Sequence, residues 1–519
     1  MPDAFSQSAV VSPGVASEGW TFTPPPGAGR VASPPSRVAR PPVRARYDAA
    51  VDTAENARLW SMADGLSARA ANDPTTRAKL RNRARQAIAN NSYAKGVCLT
   101  LANEVVGTGP RLQLMTGDAE IDRDLPRRFD DWAAEVRLAE RLRTVVVSRV
   151  GDGESFPHLT QNPRLRSTPV TLDFRADIEA DQVCNPTLTT LDPLDADGII
   201  FDRWSNPVEY VVREDHPGDS LQLRFGREVR VPASRMMHWF RVDRPGQLRG
   251  VPEITPAIRL FELLRRYTLA VLAAAETAAD FAAVLYSDMP PDGDNSAGDP
   301  FETLDIERRM MTTLPAGWKM GQFKAEQPTT TYSMFKAELL NEIFRCILMP
   351  YNVGAGNSSG YNYASGRLDH QGFYKAIGIL QYDMETAILD RVFAAWMAEA
   401  ALVGLIPRDL ASFDAPVRIP HQWFWDGVGH VDPAKEANAQ ATRLASGTTT
   451  LADEWARAGH DWRAKADQQA EERAYYRSLG IPYPGDPANA GAAPSPAGDG
   501  EDDPEDDANE GSDPDADED

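Results

Sequence analysis

Cysteine is nearly absent from the 519-residue sequence: Cys98, Cys184 and Cys346 stand far apart and are odd in number. That excludes a disulfide scaffold and predicts reduced thiols buried as small hydrophobes. No Gly-Lys dipeptide occurs anywhere. The G-x-x-x-x-G-K-[ST] loop, which cradles phosphates with backbone N–H groups and a lysine, is therefore missing, and a P-loop ATPase is excluded. Histidine is also scarce, with seven in all. None sits in H-E-x-x-H and no cysteine pair has zinc-ligand spacing. His421 and His430 flank Trp423-Phe424-Trp425-Asp426, a setting for a structural, aromatic-packed histidine. Gly356-Asn357-Ser358-Ser359-Gly360 matches G-x-S-x-G by letter but lacks the strand–turn–helix context of a nucleophile elbow, and no glycosidase-like carboxylate pair stands out. No catalytic, cofactor-binding or metal-ligating set is expected. Long apolar runs are missing too. Glu276 and Asp280 interrupt the stretch from Leu269 well short of the ~20 residues that span a bilayer. The first residues lack a charged start followed by an apolar core, so neither a membrane span nor a signal peptide is expected.

The chain also lacks a surplus of basic charge. It carries 54 Lys and Arg against 76 Asp and Glu, a formal net charge of −22. Asp499 to Asp519 alone holds thirteen acidic residues and no basic one, which leaves −9 on the rest. A protein that grips DNA tightly uses Lys and Arg to neutralise phosphates and release counterions, and this composition argues against such a grip.

What is present is a mixed α+β chain, mainly helical. Residues 1–46 are rich in Pro, Ser, Gly and Arg and read as a disordered arm. Residues 483–519 read as a disordered acidic tail. Between them, 54–107 is expected to be helical in two pieces split near Asn72-Asp73-Pro74, with Asn72 or Asp73 as cap and Pro74 in the first turn. The basic run Arg77, Lys79, Arg81, Arg83 and Arg85 falls at period two, which spreads charge around a helix. It reads as a solvated helix start, with a phosphate contact as the alternative. Thr144-Val145-Val146-Val147, Val170 to Ile178 and Val229 to Phe240 read as strands. Ile199-Ile200-Phe201 and Val208 to Val212 read as a hairpin around Ser205-Asn206-Pro207. After Gly250 helices return, with Ile254, Ile258, Phe261 and Leu264 at helical spacing. A long helix over about 368–402 aligns Phe373, Ile377, Leu380, Met384, Ile388, Val392 and Trp396 in one apolar stripe. Residues 433–479 read as short helices broken at Gly447 and Gly459.

Several segments, in order, carry a resemblance. They are Asn90-Asn91-Ser92-Tyr93-Ala94-Lys95-Gly96 followed by Val105-Val106-Gly107-Thr108-Gly109; Gly198 to Asp202 with Pro207-Val208-Glu209-Tyr210; and His238-Trp239-Phe240-Arg241. The most specific is Arg244-Pro245-Gly246-Gln247-Leu248-Arg249-Gly250-Val251-Pro252. Then come Met349-Pro350-Tyr351, Asn362-Tyr363-Ala364-Ser365-Gly366-Arg367 and Trp423 to Lys435. Together they resemble the lambda-type family of tailed-bacteriophage portal proteins across about residues 50–482. Ala364 departs from that family's N-Y-S-S-x-R pattern.

The resemblance implies a portal fold of wing, stem, clip and crown. On it, the body spans 47–482: a helical part of wing and stem at 47–142, clip and wing strands at 143–250, a helical stem and wing core at 251–430, and C-terminal crown helices at 431–482. It implies a ring of usually twelve subunits at one capsid vertex, a conduit for double-stranded DNA in packaging and ejection. Implied partners are the terminase large subunit, head-completion or adaptor proteins, and the major capsid and scaffolding proteins. The location is the virion, after assembly in the host bacterial cytoplasm, with no cofactor, metal, membrane or hydrolysis of its own. A non-portal packaging or minor capsid component, or a packaging nuclease or ATPase, is the alternative. The stripe over 373–396 is material either for subunit contacts or for packing within the chain. A DNA-sliding channel needs surfaces that do not hold phosphates. The Gly-rich loop from Gly354 to Tyr363 has no charged residue between Tyr351 and Gly366. Its Asn357, Ser358, Ser359 and Asn362 are the candidate channel-facing groups, the competing reading being a surface loop at a subunit contact.

Overall fold

The computed structural model describes residues 53–54, 57–166, 168–185, 197–219, 227–280, 284–287, 318–321, 331–406, 419–427 and 433–484. The expected arm over 1–46, the acidic tail from 485 and His430 lie outside the described residues. The chain divides into Met1–Gly65 and Leu66–Asp519. In the first unit the described residues form turns, so the helical pattern expected from 54 starts only at Ala68.

The second unit is mainly helical with small antiparallel sheets. Helix α1 (Ala68–Ala71) leads into α2 (Pro74–Asn90) and α3 (Ser92–Val106). Asp73 caps α2, accepting from the N–H groups of Thr75 and Thr76, and Pro74 occupies the first turn as expected. Asn91 caps α3 in the same way. After β1 (Arg111–Leu114) come α4 (Ala119–Glu135) and α5 (Leu138–Asp152). The strand expected at Thr144–Val147 is thus part of a helix. Its β-branched residues suit a strand, but Leu138, Leu142, Val145, Val146, Arg149 and Val150 are all buried at helical spacing, and tertiary packing overrides the local preference.

Strands follow in short pieces: β2 (Glu154–Ser155), β3 (His158–Gln161), β4 (Leu172–Arg175), β5 (Ile199–Phe201), β6 (Pro207–Arg213), β7 (Glu228–Pro232) and β8 (Trp239–Phe240). The segment 170–178 supplies only the four residues of β4, antiparallel to β3. The β5–β6 hairpin stands as expected, and β7 extends it to a three-stranded sheet. The segment 229–240 is split by a turn, so that β8 leaves β7 and pairs instead with β2.

Helix α6 (Thr255–Asp280) then precedes β9 (Val284–Ser287) and β10 (Trp318–Gly321), which form their own antiparallel pair. Next are α7 (Thr331–Arg345), α8 (Tyr351–Ala355), α9 (Tyr363–Met384), a π-helical turn at Glu385–Leu389, and α10 (Asp390–Leu402). The long apolar helix therefore begins earlier than expected, and a π turn interrupts it. Its stripe packs within the chain: Phe373, Ile377, Met384, Ile388, Val392 and Trp396 are all in the core. Phe129 sits at the centre of an aromatic cluster, with Trp132, Phe393, Trp396 and Trp423 at ring-centroid distances of 5.2–5.9 Å. Strand β11 (His421–Phe424) pairs with β1, and helices α11 (Pro433–Ala445), α12 (Leu451–Arg457) and α13 (Trp462–Ser478) close the described chain. Tyr483, placed in the tail by composition, packs its ring edge-on against Tyr476. A smaller second core of Phe156, Ala180, Val183, Ile199, Tyr210, Val212 and Met236 lies under the β5–β6–β7 sheet. The three cysteines are unpaired thiols, with Cys98 in the main core. Among the described residues no helix is long and apolar enough to cross a membrane.

Candidate functional site

The densest polar site lies between the two cores, where the most specific motif of the sequence folds over β2. Helix α5 ends at Gly153 (φ +90°), and the chain turns into Glu154 and Ser155, which pair with Phe240 and Trp239 of β8. The 241–252 segment then returns across β2. Gln247 supports that segment from inside. Its Oε1 accepts from the N–H groups of Asp243 (3.0 Å) and Arg244 (3.3 Å), and its Nε2 donates to the carbonyls of Arg241 and Arg249. A Cβ on Gly250 would fall on the Gly153 carbonyl, its carbon 2.6 Å away, and a Cβ on Gly153 would collide with the Val251–Pro252 backbone. Only two glycines allow this backbone-on-backbone approach.

The approach seats Arg249, 3% exposed, against Glu154, 0% exposed in its side chain. Arg249 donates from Nε (2.8 Å) and one terminal nitrogen (2.7 Å) to the two carboxylate oxygens. Its remaining N–H groups reach the carbonyls of Ala180, Val183 and Asp197, so all five donors of the guanidinium are used. Glu154 also accepts from Arg81 (3.1 Å), from His238 Nε2 (3.0 Å) and from the Gly250 N–H (3.0 Å). Burial alone would raise its pKa, but Arg249 and the His238 hydrogen bond outweigh that and hold it well below the usual carboxylate range. Burial lowers the pKa of His238, stacked between Phe156 (4.5 Å) and Phe240 (4.4 Å), despite its bond to Glu154. The imidazole is neutral near pH 7 and donates to a carboxylate that is already satisfied.

Helix α2 supplies the rest of the cluster. Arg77, Arg81 and Arg85 lie at steps of four on one face and point inward. Arg77 pairs with Asp197, Arg81 with Glu154 and Asp181, and Arg85 with Asp152 (2.7 Å), Asp181 (2.7 Å) and Glu179 (3.0 Å). Burial and the nearby Arg249 lower the Arg77 pKa to about 9. Both expectations for the basic run are corrected here: Arg77 and Arg81 are buried, the half-buried Arg85 is tied to three carboxylates, and none of the three stands free for phosphate. Lys79 and Arg83 fall on the exposed face. The carboxylate partners were missed in the sequence, although Gly151-Asp152-Gly153-Glu154 offered a signal: two acids alternating with glycines where α5 gives way to β2. Beside this cluster, Glu179, Asp181 and His216 place one ligand atom each within 4.8 Å of the others, metal-ligand proximity that the sequence did not reveal. Arg85 already bonds both carboxylates, so their charge is compensated without a cation.

The candidate channel loop is narrower than its composition indicated. Residues Tyr351–Ala355 are helical, and Gly354 lies so close to Phe344 that a Cβ would come within 2.6 Å of the ring. Gly356 ends that turn. Asn357, Ser358 and Ser359 are exposed, and Asn357 Oδ1 accepts from the Ser359 N–H (3.0 Å). Asn362 is fixed as the cap of α9, accepting from the Ser365 N–H (2.8 Å). The four residues are brought to one exposed connection, apart from the charged cluster, and offer only neutral hydrogen-bonding groups.

A family profile described as phage portal protein, lambda family, matches residues 56–381. The chain belongs to the lambda family of phage portal proteins. A probable portal protein of Halomonas phage phiHAP-1 is 26% identical over 436 residues, covering 78% of this chain and 82% of that protein. Among solved structures, a chain in the neck of an empty GTA particle computed with C6 symmetry is 14% identical with a TM-score of 0.41, covering 77% of this chain and 93% of that one. A second, from the neck of a native GTA particle computed with C12 symmetry, has a TM-score of 0.40 at 14% identity, with 77% and 92% covered.

The portal motifs meet one another in this fold. Gly107 and Thr108, from the motif that ends α3, receive Asp426 from the Trp423 segment. Asp426 accepts from the Thr108 N–H (2.5 Å) and hydroxyl (2.6 Å), and a Cβ on Gly107 would strike its carboxylate. Trp423 Nε1 donates to Asp390 (3.0 Å) and Trp425 Nε1 to Glu385 (2.5 Å), tying the same segment to the π turn and to the start of α10. His421 packs tilted against Phe393 (ring centroids 4.8 Å) and bonds Asp390 and the Ile419 carbonyl, the structural role expected of it.

Proposed function

We propose that this portal protein assembles into a twelve-membered ring at one capsid vertex and serves as the conduit for double-stranded DNA in packaging and ejection. The family match over residues 56–381 carries this reading. On it, the 47–482 body divides into wing, stem, clip and crown. The terminase large subunit and later the head-completion or adaptor proteins dock on the clip, and the major capsid and scaffolding proteins surround the ring. The protein resides in the virion after assembly in the host cytoplasm and hydrolyses nothing itself. The charge pattern agrees with a duplex that slides. Arg77, Arg81, Arg85, Arg149 and Arg249 are paired with carboxylates in the interior and supply no phosphate contact. Negative-stain images and native mass spectrometry of purified protein, over a range of assembly conditions, test the reading. Rings with a central hole are expected, and a persistent 56.9 kDa monomer would overturn it.

Within that ring, Asn357, Ser358, Ser359 and Asn362 are proposed as a channel-facing element. Replacing Ser358 and Ser359 by Lys puts cations where a phosphate passes, and is expected to stall packaging while ring assembly persists. Normal packaging by that variant would move the loop to the competing role of a subunit contact.

A further inference from the structure

The β5–β6 hairpin ends in a turn that holds an aromatic residue out in solvent. Asp202 organises it. Its side chain accepts from the N–H groups of Trp204 (2.9 Å) and Asn206 (2.8 Å) and from the Asn206 amide (3.1 Å). Backbone bonds from Asp202 to Asn206 and from Ser205 to Asp202 close the turn. The Trp204 side chain it presents is 66% exposed, with the Arg203 guanidinium 3.8 Å above the indole. Among the described residues no carboxylate pairs with Arg203. A rigid Trp–Arg plate on the surface has the composition of an interface hot spot: large contact area, one cation, and little entropy left to lose.

The same chain offers a matching receptor. Between α6 and α7 runs a groove of about 680 Å³, floored by Leu260, Leu339 and Cys346 and flanked by Phe335, 52% exposed. Glu338 and Glu342 stand on its rim, exposed and without an ion-pair partner among the described residues. Arg345 also lines it, so two carboxylates face one cation. The floor suits an indole, and the surplus carboxylate suits a guanidinium.

We infer that the Arg203–Trp204 turn of one subunit docks in the α6–α7 groove of the next copy of this chain. The inference rests on the ring reading. Plate and groove are different surfaces, so the contact is heterologous and repeats head to tail, the kind of contact from which cyclic rings close. Trp204 is exposed in its own chain and so does not fill its own groove. The contact joins aromatic to apolar surface at its centre and guanidinium to carboxylates at its edge.

Two chains with one accessible cysteine each test it, built on C184S/C346S with Cys98 left buried in the core. One carries S205C beside the plate and the other N341C on the groove wall; both leave Arg203, Trp204, Glu338 and Glu342 intact. A short bismaleimide is expected to give a covalent dimer only when the two chains are mixed, and a ladder from the doubly substituted chain. W204A is expected to weaken assembly roughly 30-fold or more. R203E is expected to do likewise and to be rescued by E338R/E342R, a recovery that misfolding would not show. If the parent chain forms rings but the mixture gives no dimer and the charge exchange no rescue, the groove has another occupant and this inference fails while the ring reading stands. If the parent forms no rings under any condition and no dimer appears, both fail.

Discussion

Replacing Glu154 by Gln tests the charged cluster at its centre. The carboxylate is fully buried and accepts five hydrogen bonds, two from Arg249 and one each from Arg81, His238 and the Gly250 N–H. An amide of the same shape keeps one acceptor oxygen but turns an NH₂ group toward donors, and it removes the charge that offsets Arg81 and Arg249. Breaking a buried pair by removing one partner costs about 3–5 kcal/mol, because the other charge stays buried. A chain of this size need not unfold in one step. The quantity to measure is therefore the local opening free energy, by hydrogen–deuterium exchange of the 150–160 and 236–252 peptides, with urea melts alongside. Arg249→Met and the double variant complete a cycle. The double change is expected to cost less than the two single costs combined by about 1 kcal/mol or more, since the residues are in direct contact. A cost below about 1 kcal/mol for E154Q, or an additive cycle, would refute the view of this cluster as one coupled unit.

The same cluster sets a direction of pH dependence. His238 in the folded protein binds a proton less readily than at its ordinary 6.5, and Glu154 less readily than at 4.5, so in both cases the unfolded chain binds protons first as pH falls. The contribution of these two groups to stability is expected to decline below about pH 6.5 and more steeply below about 4.5; His158 and His460 are lowered by burial too and share the upper onset, so His238→Gln is expected to weaken it, and an unchanged thermal-melt profile from pH 7 to 5 in that variant would contradict this. Gly250→Ala drives a methyl into the Gly153 carbonyl, and is expected to give a chain that neither folds nor assembles in gel filtration, whereas Gly246→Ala, with nothing within 4 Å of its Cβ, pays only the strain of its positive φ and retains the fold.

Local chemistry was legible in the sequence wherever it was decided locally. Asp73 and Pro74 start α2, Gly447 and Gly459 separate the last three helices, and the β5–β6 hairpin forms around Ser205-Asn206-Pro207. Elements decided by distant neighbours were not. Thr144–Val147 has strand chemistry yet is part of α5, with Val145 and Val146 on its buried side. The arginines of α2 look like a solvated run because their partners are remote in sequence: Glu154 lies 73 residues from Arg81 and Asp181 lies 96 from Arg85. The candidate loop was partly legible. Its neutral residues Asn357, Ser358 and Ser359 lie in an exposed connection, but Gly354, read as part of that loop, is helical and a contact point for Phe344, and Asn362 is a helix cap rather than a free side chain.

The buried arginines also bear on how an acidic protein can surround DNA. Arg77, Arg81, Arg149 and Arg249 are each matched inside the fold by a carboxylate, so the cluster withdraws guanidinium groups from the surface. The same inward turn brings the portal motifs together: Arg249 and Gly250 exist to meet Glu154 and Gly153, as Gly107 and Thr108 exist to meet Asp426. These motif residues thus hold distant parts of the subunit in a fixed arrangement. A conduit that must bear a passing duplex without gripping it needs that combination. Its strongest electrostatic interactions lie within the subunit, where salt screens them little, and those cations stay withheld from the phosphates.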